Sequence, residues 1–381
     1  MAAAERIVIA GGGAAAHGAV AGMRRAGFTG EVVLIGREQD PPYERPPLSK
    51  RYLIEDIARE ELRFRHPDCE LRLGQEVVEV HPEAHRVSLA GGESLSYGKL
   101  LLATGGRARR LPGFEAAMRL RDIGDADRLK AALSSGKPLA VIGAGFIGCE
   151  VAVAGRAHGI PVTVYEALSE PLERVLGPEV GRFLAEAHRS HGVDLHTGVR
   201  RLPDMPGNVL VGVGSEPNTE LAEAAGIACD GGILVDELGR TDAPDTYAAG
   251  DCARFFSPLF ESRVRVEHFQ TAHRHGTAVG RSMAGEERPF AEAPWFWSDQ
   301  YDLNIQYVGA ALPWEQLVVR GRIGEVPFTA FYLAGDRLLG AVSVNDNRTL
   351  SQARRLMERR VEVRPDQLAD ESVNLRELAA A

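Results

Sequence analysis

Short apolar runs that end at glycine recur along this chain, and most of them lead into stretches with helical spacing. Residues 7–10 form the first such run. Gly11, Gly12 and Gly13 follow, then an Ala-rich helical stretch, then a second apolar run at 32–35 that ends at Gly36-Arg37-Glu38. Strand, glycine turn, helix, strand and acid, in that order, predict a dinucleotide-binding βαβ unit. The pattern returns at 139–142, with Gly143-Ala-Gly145-Phe-Ile-Gly148, a helix-like run to about His158, and a strand at 162–166 that ends on Glu166. Two complete units in one chain predict two dinucleotides.

Other runs fill in the frame. Short strands are expected at 71–73, 77–80, 86–89 and 99–103, the last ending in Thr104-Gly105, a small-residue turn beside a cofactor. Pro41, Pro42, Pro46 and Pro47 precede a helix-like stretch at 50–57, so they stiffen a loop that aims Lys50 into a site. Residues 120–133 predict a crossover into the second unit; a helix at 179–190, a strand at 193–196 and a strand-to-glycine turn at 208–214 follow. A buried strand from 246 ends in Gly250-Asp251, and a helix runs from Glu267 to about Ala284. After a linker at 289–294 come alternating strands at 305–308, 317–319, 328–333 and 338–344 and a helix at 349–360, which predict a separate α+β module.

Each part of the glycine turns has a physical task. Gly11 lets the chain turn sharply off its strand, Gly13 has no Cβ to hold a pyrophosphate away from the backbone, and Ala16 is small enough for close helix packing. Phosphates then face free N–H groups at a helix N-terminus. Glu38 is the candidate for ribose hydroxyls. In the second unit Gly143, Gly145 and Gly148 complete the pattern, and Glu166 stands 23 positions after Gly143, near the ~20 expected of a ribose acid.

Composition narrows the classes. A chain of 381 residues calls for two or three domains. A net charge of −9 argues against bulk attraction to nucleic acid or an anionic membrane. No basic-then-apolar leader and no run long enough to span a bilayer are visible, so a cytoplasmic location is expected. Cys69, Cys149, Cys229 and Cys252 form no C-x-x-C or C-x₄-C pair, which excludes a local zinc site and a dithiol redox centre. His188, His191 and His196 lack a carboxylate or cysteine to complete a ligand set, so no metal is expected.

The stretches RIVIAGGGAAA, PYERPPLSK, LLLATG, LRDIGDADRL, VIGAGFIGCEVA, GVGSEPNTELAEAAGI, RTDAPDTYAAGD, VEHFQTA and FWSDQYDLNIQYVG together resemble the FAD-containing, NADH-dependent ferredoxin reductases that feed aromatic-ring dioxygenases and bacterial P450s. The resemblance runs through nearly the whole chain in that family's order. It implies an α/β fold with two Rossmann-like dinucleotide-binding domains in a glutathione-reductase-like architecture, plus an α+β C-terminal domain. The FAD-binding domain would comprise 1–113 and 242–290, the NAD-binding domain 114–241, and a domain covering the flavin 291–381. Gly11, Gly13, Ala16 and Glu38 would hold the FAD adenosine and pyrophosphate, with Thr104 and Gly105 beside the cofactor and Gly250-Asp251 at its ribityl–phosphate portion. The helix opening at His268 and Phe269 would point its N-terminus at the flavin's pyrimidine edge. Lys50 would lie near flavin N5, Glu150 would reach the nicotinamide and pair with Lys50, and Trp297 would flank the isoalloxazine. Gly143, Gly145, Gly148 and Glu166 would hold NADH, the acid favouring a free 2′-hydroxyl.

The activity so implied is transfer of hydride from NADH to FAD and of single electrons to a [2Fe–2S] ferredoxin serving an oxygenase. Candidate docking arginines are Arg263, Arg265, Arg274 and Arg281, or Arg355 and Arg359; a homo-oligomer stays open. The competing readings are an NADH oxidase, a rubredoxin- or nitrite-type reductase, and a non-catalytic FAD-binding protein. Three departures stand out: Arg37 beside the ribose acid, Phe269 where a tryptophan is common, and only residues 197–207 where the family inserts a β-meander. A parallel sheet needs both faces covered, so the missing layer is expected to expose apolar surface. A partner chain or the C-terminal domain would cover it, or NADH binding would weaken.

Overall fold

The first apolar run forms the strand Arg6–Ala10, flanked in parallel by Glu31–Gly36 and Lys99–Leu102, with Ile9 opposite both Leu34 and Leu101. Thr246–Ala248 and Glu70–Leu73 complete a five-stranded sheet, and its middle strands are buried on both faces, as continuous apolar runs require. A computed structural model describes residues 6–65, 68–205 and 207–379. Two units emerge by contact: Met1–Glu44, Glu60–Arg107 and Glu216–Pro294 make one, and Arg45–Arg59, Ala108–Ser215 and Trp295–Ala381 the other.

In the first unit, helix Ala14–Arg25 lies backbone to backbone against helix Phe269–Met283. A Cβ on Gly18 would sit 2.2 Å from the His273 carbonyl oxygen, and one on Gly22, 2.1 Å from that of Thr277. From the other side, Cβ atoms on Gly276 and Gly280 would each fall 2.1 Å from the carbonyl oxygens of Ala15 and Ala19. Only glycine allows this approach. Two small three-stranded sheets, Val77–His81 with Arg86–Leu89 and Ser94–Ser96, and Ile233–Val235 with Ala253–Ser257 and Ser262–Val264, complete the unit.

The second unit holds a four-stranded parallel sheet in the order Asp194–His196, Val162–Tyr165, Leu139–Ile142, Asn208–Val211. It also holds an antiparallel five-stranded sheet in the order Trp295–Gln300, Leu303–Gly309, Arg337–Val344, Glu325–Ala334, Gln316–Arg322. Helix Glu173–Ser190 is kinked at Gly177 before Pro178, where the proline removes a helical donor.

Two expectations are corrected. Residues 50–57 are not one helix: a 3₁₀ turn, Pro46–Ser49, precedes a four-residue helix, Arg51–Ile54, and Glu55 is extended. The proline pair sets the tight turn, and too few residues follow to propagate a longer helix. Second, the shortened segment 197–207 does not leave an open apolar face. Its described residues form no strand, and Pro206 lies outside the described set. On the sheet face shared by Ala140, Ile142, Thr163, Tyr165, Val209 and Val211, Ala140, Ile142 and Val211 are buried. Tyr165 stacks on His196 at 5.3 Å. The exposed large apolar side chains among the described residues are Ile54, Val78, Ile147 and Val326, none of them on this sheet.

Candidate functional site

In the first unit, Gly11 has φ +126°, its N–H donates to the Ile35 carbonyl at 2.8 Å, and a Cβ would fall 2.1 Å from the Ala103 carbonyl oxygen. Gly13 is the N-cap of Ala14–Arg25, with no side-chain cap and no acid in the first turn, and a Cβ there would meet nothing within 4 Å. Side-chain caps do occur elsewhere, as in the Asp122/Asp125 capping box of Ile123–Ser134 and the Asp346 cap of Asn347–Glu358. The glycine turn thus leaves donors and positive dipole facing open space, which fits the pyrophosphate of a dinucleotide. Ala16 is fully buried. Glu38 accepts a hydrogen bond from the Tyr43 hydroxyl, and Arg37 turns toward Glu76 at 3.8 Å.

The Thr104 hydroxyl donates to the Asn218 carbonyl at 2.7 Å, while Asn218 Nδ2 and N donate to the carbonyls of Thr104 and Gly105. The turn at Thr104-Gly105 is therefore stapled by Asn218. Gly250 has φ +82°, and a Cβ there would lie 2.7 Å from that of Ala15, so Gly250-Asp251 sits against the first turn of Ala14–Arg25. His268 is the N-cap of Phe269–Met283. Phe269 stacks on Phe64 at 5.9 Å, and Phe64 on His17 at 4.3 Å. Gly11–Gly13, Gly250-Asp251 and His268-Phe269 are brought to one end of this unit.

His275 was not among the sequence candidates. Its Nδ1 accepts the Gly250 N–H at 3.3 Å, and it is buried between Phe255 and Phe290. Burial lowers it to about 3, so it stays neutral. A histidine directly before Gly276 was the available signal.

The second unit repeats the turn. Gly143 has φ +100°, donates to the Tyr165 carbonyl at 2.8 Å, and would carry a Cβ 2.5 Å from the Gly212 carbonyl oxygen. A Cβ on Gly148 would fall 2.0 Å from the Gly143 carbonyl oxygen, and Gly145 is an N-cap without a side-chain cap. Glu166 accepts from the backbone N–H groups of Ala144 at 2.6 Å and Leu168 at 2.9 Å. Its carboxylate is fixed beside the glycine loop, where a ribose acid belongs.

Lys50, Glu150 and Trp297 meet in this unit. Lys50 follows the 3₁₀ turn, and its segment is tied down by Arg45 to the Arg121 carbonyl, Tyr52 and Arg59 to Asp127, and His158 to the Leu53 carbonyl. Glu150, buried on helix Phe146–Ala157, accepts from Lys50 Nζ at 2.8 Å, from Ser298 Oγ at 2.6 Å and from Ser49 Oγ. Lys50 Nζ lies 6.0 Å from the Trp297 ring, which stacks on Trp295 at 5.5 Å. A buried carboxylate with an ammonium and two hydroxyls is a satisfied ion pair.

The strand Trp295–Gln300 that supplies Ser298 was not predicted, because its buried face carries two polar residues, Ser298 and Gln300, beside Phe296, while Trp295 and Trp297 on the other face are half-buried. His188 bonds Gln300 and Tyr301, His191 stacks on Tyr301 and His196 pairs with Asp194. Among the described residues no group of side chains has metal-holding geometry. All four cysteines are free. Burial pushes Cys69 and Cys229 up to about 11 and raises Cys149 and Cys252 as well, so none is a thiolate. Of the candidate docking arginines, Arg265, Arg274 and Arg281 pair with Glu267, Glu292 and Glu286. Arg263 and Arg359 donate to the carbonyls of Val235 and Ala379, and Arg355 is exposed. No helix among the described residues is long and apolar enough to cross a membrane.

Comparison with known proteins agrees with this frame. The profile of the pyridine nucleotide-disulphide oxidoreductases matches residues 5–201 and 207–276, and that of the reductase C-terminal domain residues 295–379. The chain is 36% identical to putidaredoxin reductase CamA of Pseudomonas putida, over 99% of this chain and 97% of that one. It is 38% identical to the ferredoxin–NAD(+) reductase component of the anthranilate 1,2-dioxygenase system of Burkholderia cepacia, over 98% and 99%. Among solved structures, the covalent putidaredoxin reductase–putidaredoxin complex superposes with a TM-score of 0.94 at 35% identity, covering 100% of this chain and 99% of that one.

Proposed function

We propose a function from one premise: this chain belongs to the pyridine nucleotide-disulphide oxidoreductase family and, within it, to the ferredoxin–NAD(+) reductases. It is an oxidoreductase that uses FAD and NADH. Its reaction converts NADH and two oxidised ferredoxins into NAD⁺, two reduced ferredoxins and a proton, the chain being cytoplasmic and its partner a [2Fe–2S] ferredoxin that serves an oxygenase. One observation carries the reading: two uncapped glycine turns of like geometry stand in a chain whose four thiols are free and protonated. An electron pair from NADH then has no protein disulfide to enter and leaves toward an outside acceptor. The same thiols disfavour those oxidases that rely on a reactive cysteine.

Bound FAD supplies the redox chemistry, taking up an electron pair as hydride and giving electrons back singly. The chain supplies position and charge. Gly11 and Gly13 bring backbone N–H groups to the FAD pyrophosphate, and Glu38 takes the adenosine ribose. Asp251 binds the ribityl–phosphate portion, and the N-terminus of Phe269–Met283 sets partial positive charge against the flavin's pyrimidine edge. Gly143, Gly145 and Gly148 cradle the NADH pyrophosphate, and Glu166 holds a free 2′-hydroxyl. Lys50 places a fixed positive charge at the reacting edge of the flavin, Glu150 orients Lys50 and reaches the nicotinamide, and Trp297 excludes water from the ring. We assign 1–113 with 242–290 to the FAD domain, 114–241 to the NAD domain and 291–381 to the cover, the last supported by the reductase C-terminal match from residue 295.

Anaerobic mixing of the FAD-loaded protein with NADH tests the reading. Bleaching of the flavin band, followed by cytochrome c reduction that requires added [2Fe–2S] ferredoxin, is expected. Bleaching with oxygen uptake but no ferredoxin dependence would make the protein an oxidase, and no bleaching would leave a binding protein.

A further inference from the structure

A line of hydrogen bonds runs from Glu150 across three structural elements to a strained tyrosine. Gln300 Nε2 donates to Ser298 Oγ at 3.1 Å, so the Ser298 proton is left to bond Glu150 Oε1 at 2.6 Å. Gln300 Oε1 lies 3.0 Å from His188 Nε2, and His188 Nδ1 lies 3.0 Å from the Tyr301 hydroxyl. An amide oxygen only accepts, which makes Nε2 the protonated nitrogen of His188 and Nδ1 the acceptor of the Tyr301 proton. Every donor in the line therefore points toward Glu150.

Three further observations show that the line is built. Ser298, Gln300 and His188 are all buried, at 0%, 1% and 2% exposure. Burial lowers His188 to about 4, so it keeps the neutral form that the pattern needs. Tyr301 occupies the left-handed region, φ +58°, in the two-residue turn between Gln300 and Leu303, a place that favours asparagine or glycine. Its ring stacks on His191 at 3.7 Å. Strain of this kind persists where surrounding contacts fix it.

We propose that Gln300 and His188 are positioning residues for the hydride-transfer site: through Ser298 they fix the rotamer of Glu150 and with it the Lys50 ammonium. The line orients and does not conduct, because an amide passes no proton without tautomerising. This rests on the roles assigned above to Glu150 and Lys50.

Gln300→Leu removes the bonds to Ser298 and His188 at similar volume, and His188→Leu removes the two outer bonds, to Gln300 and Tyr301, but leaves the bond to Ser298. In the FAD-loaded protein, the limiting rate of anaerobic flavin bleaching by NADH is expected to fall about tenfold in Q300L and by a smaller factor in H188L. FAD content is expected to equal that of the parent, and half-saturating NADH to change less than the rate. The deciding measurement is the double variant E150Q/Q300L, which should be no slower than E150Q alone, since the line acts through Glu150. Additive losses, or losses that track missing FAD in both Q300L and H188L, would overturn the inference. A parent-like rate in E150Q would instead overturn the role given to Glu150, and the two failures are distinguishable.

Discussion

Gly13 and Gly276 are both glycines on the paired helices of the first unit, and replacing each by alanine should do opposite things. Gly13 has φ −93° and ψ −167°, which any residue adopts, and an added methyl meets no protein atom within 4 Å. The apoprotein of G13A should therefore melt within a degree or two of the parent. The methyl does occupy the approach of the pyrophosphate, and losing one charge-assisted N–H···O bond costs about 1.5–3 kcal/mol. FAD affinity should then drop about 10- to 150-fold, measured by titrating apoprotein and following flavin fluorescence. In G276A the methyl falls 2.1 Å from the Ala15 carbonyl oxygen, a backbone atom that moves only if the helices part. Overpacking of this sort costs about 1–3 kcal/mol, so Tm should fall by several degrees even without FAD. A G13A protein with parent affinity for FAD, or a G276A protein with parent Tm, would refute this account of the glycines.

Lys50→Met should leave Glu150 buried with two hydroxyls and no counter-charge, destabilising the protein by about 3 kcal/mol in urea unfolding; adding Glu150→Gln should recover part of that loss. NADH-driven flavin bleaching should slow in both variants. Acidification should also weaken the fold, because burial lowers His188 and His268 to about 4 and His275 to about 3. The unfolded chain takes up these protons first, so stability is complete above pH ~6.5 and is lost below it at about 1.4 kcal/mol per unit for each group. Urea unfolding at pH 7.5 and 5.5 should differ by about 4 kcal/mol, and His275→Leu should remove roughly a third of the difference; a flat profile would contradict the assignment.

The βαβ units were legible because their signals are local: a glycine turn fixes φ, an apolar strand fixes burial, and both sit within some thirty residues of sequence. Glu166 and Gly148 are found where the spacing put them. The strand Trp295–Gln300 was hidden because two of its three buried positions, Ser298 and Gln300, are polar while Trp295 and Trp297 sit half-buried on the other face, so hydrophobic alternation is blurred. His188 was weighed as a metal ligand, since nothing local announces a partner 112 residues distant. The helix crossing is written openly as Gly18-x-x-x-Gly22 and Gly276-x-x-x-Gly280, but small residues alone do not say which helix they face. The short segment 197–207 misled in another way, because the burial of Ala140, Ile142 and Val211 comes from tertiary packing that no local stretch records.

The pairing of Ala14–Arg25 with Phe269–Met283 also sets a timetable for biosynthesis. The first of these helices leaves the ribosome early, yet its partner surface and the outer strand Thr246–Ala248 are encoded some 230 to 260 positions later. At ~5–20 residues per second, a nascent chain waits on the order of 10–60 s before this helix pair, the proposed FAD cradle, is closed. Until then an alanine- and glycine-rich helix stands without the neighbour that its bare backbone was shaped to meet, and the flavin has nowhere finished to land.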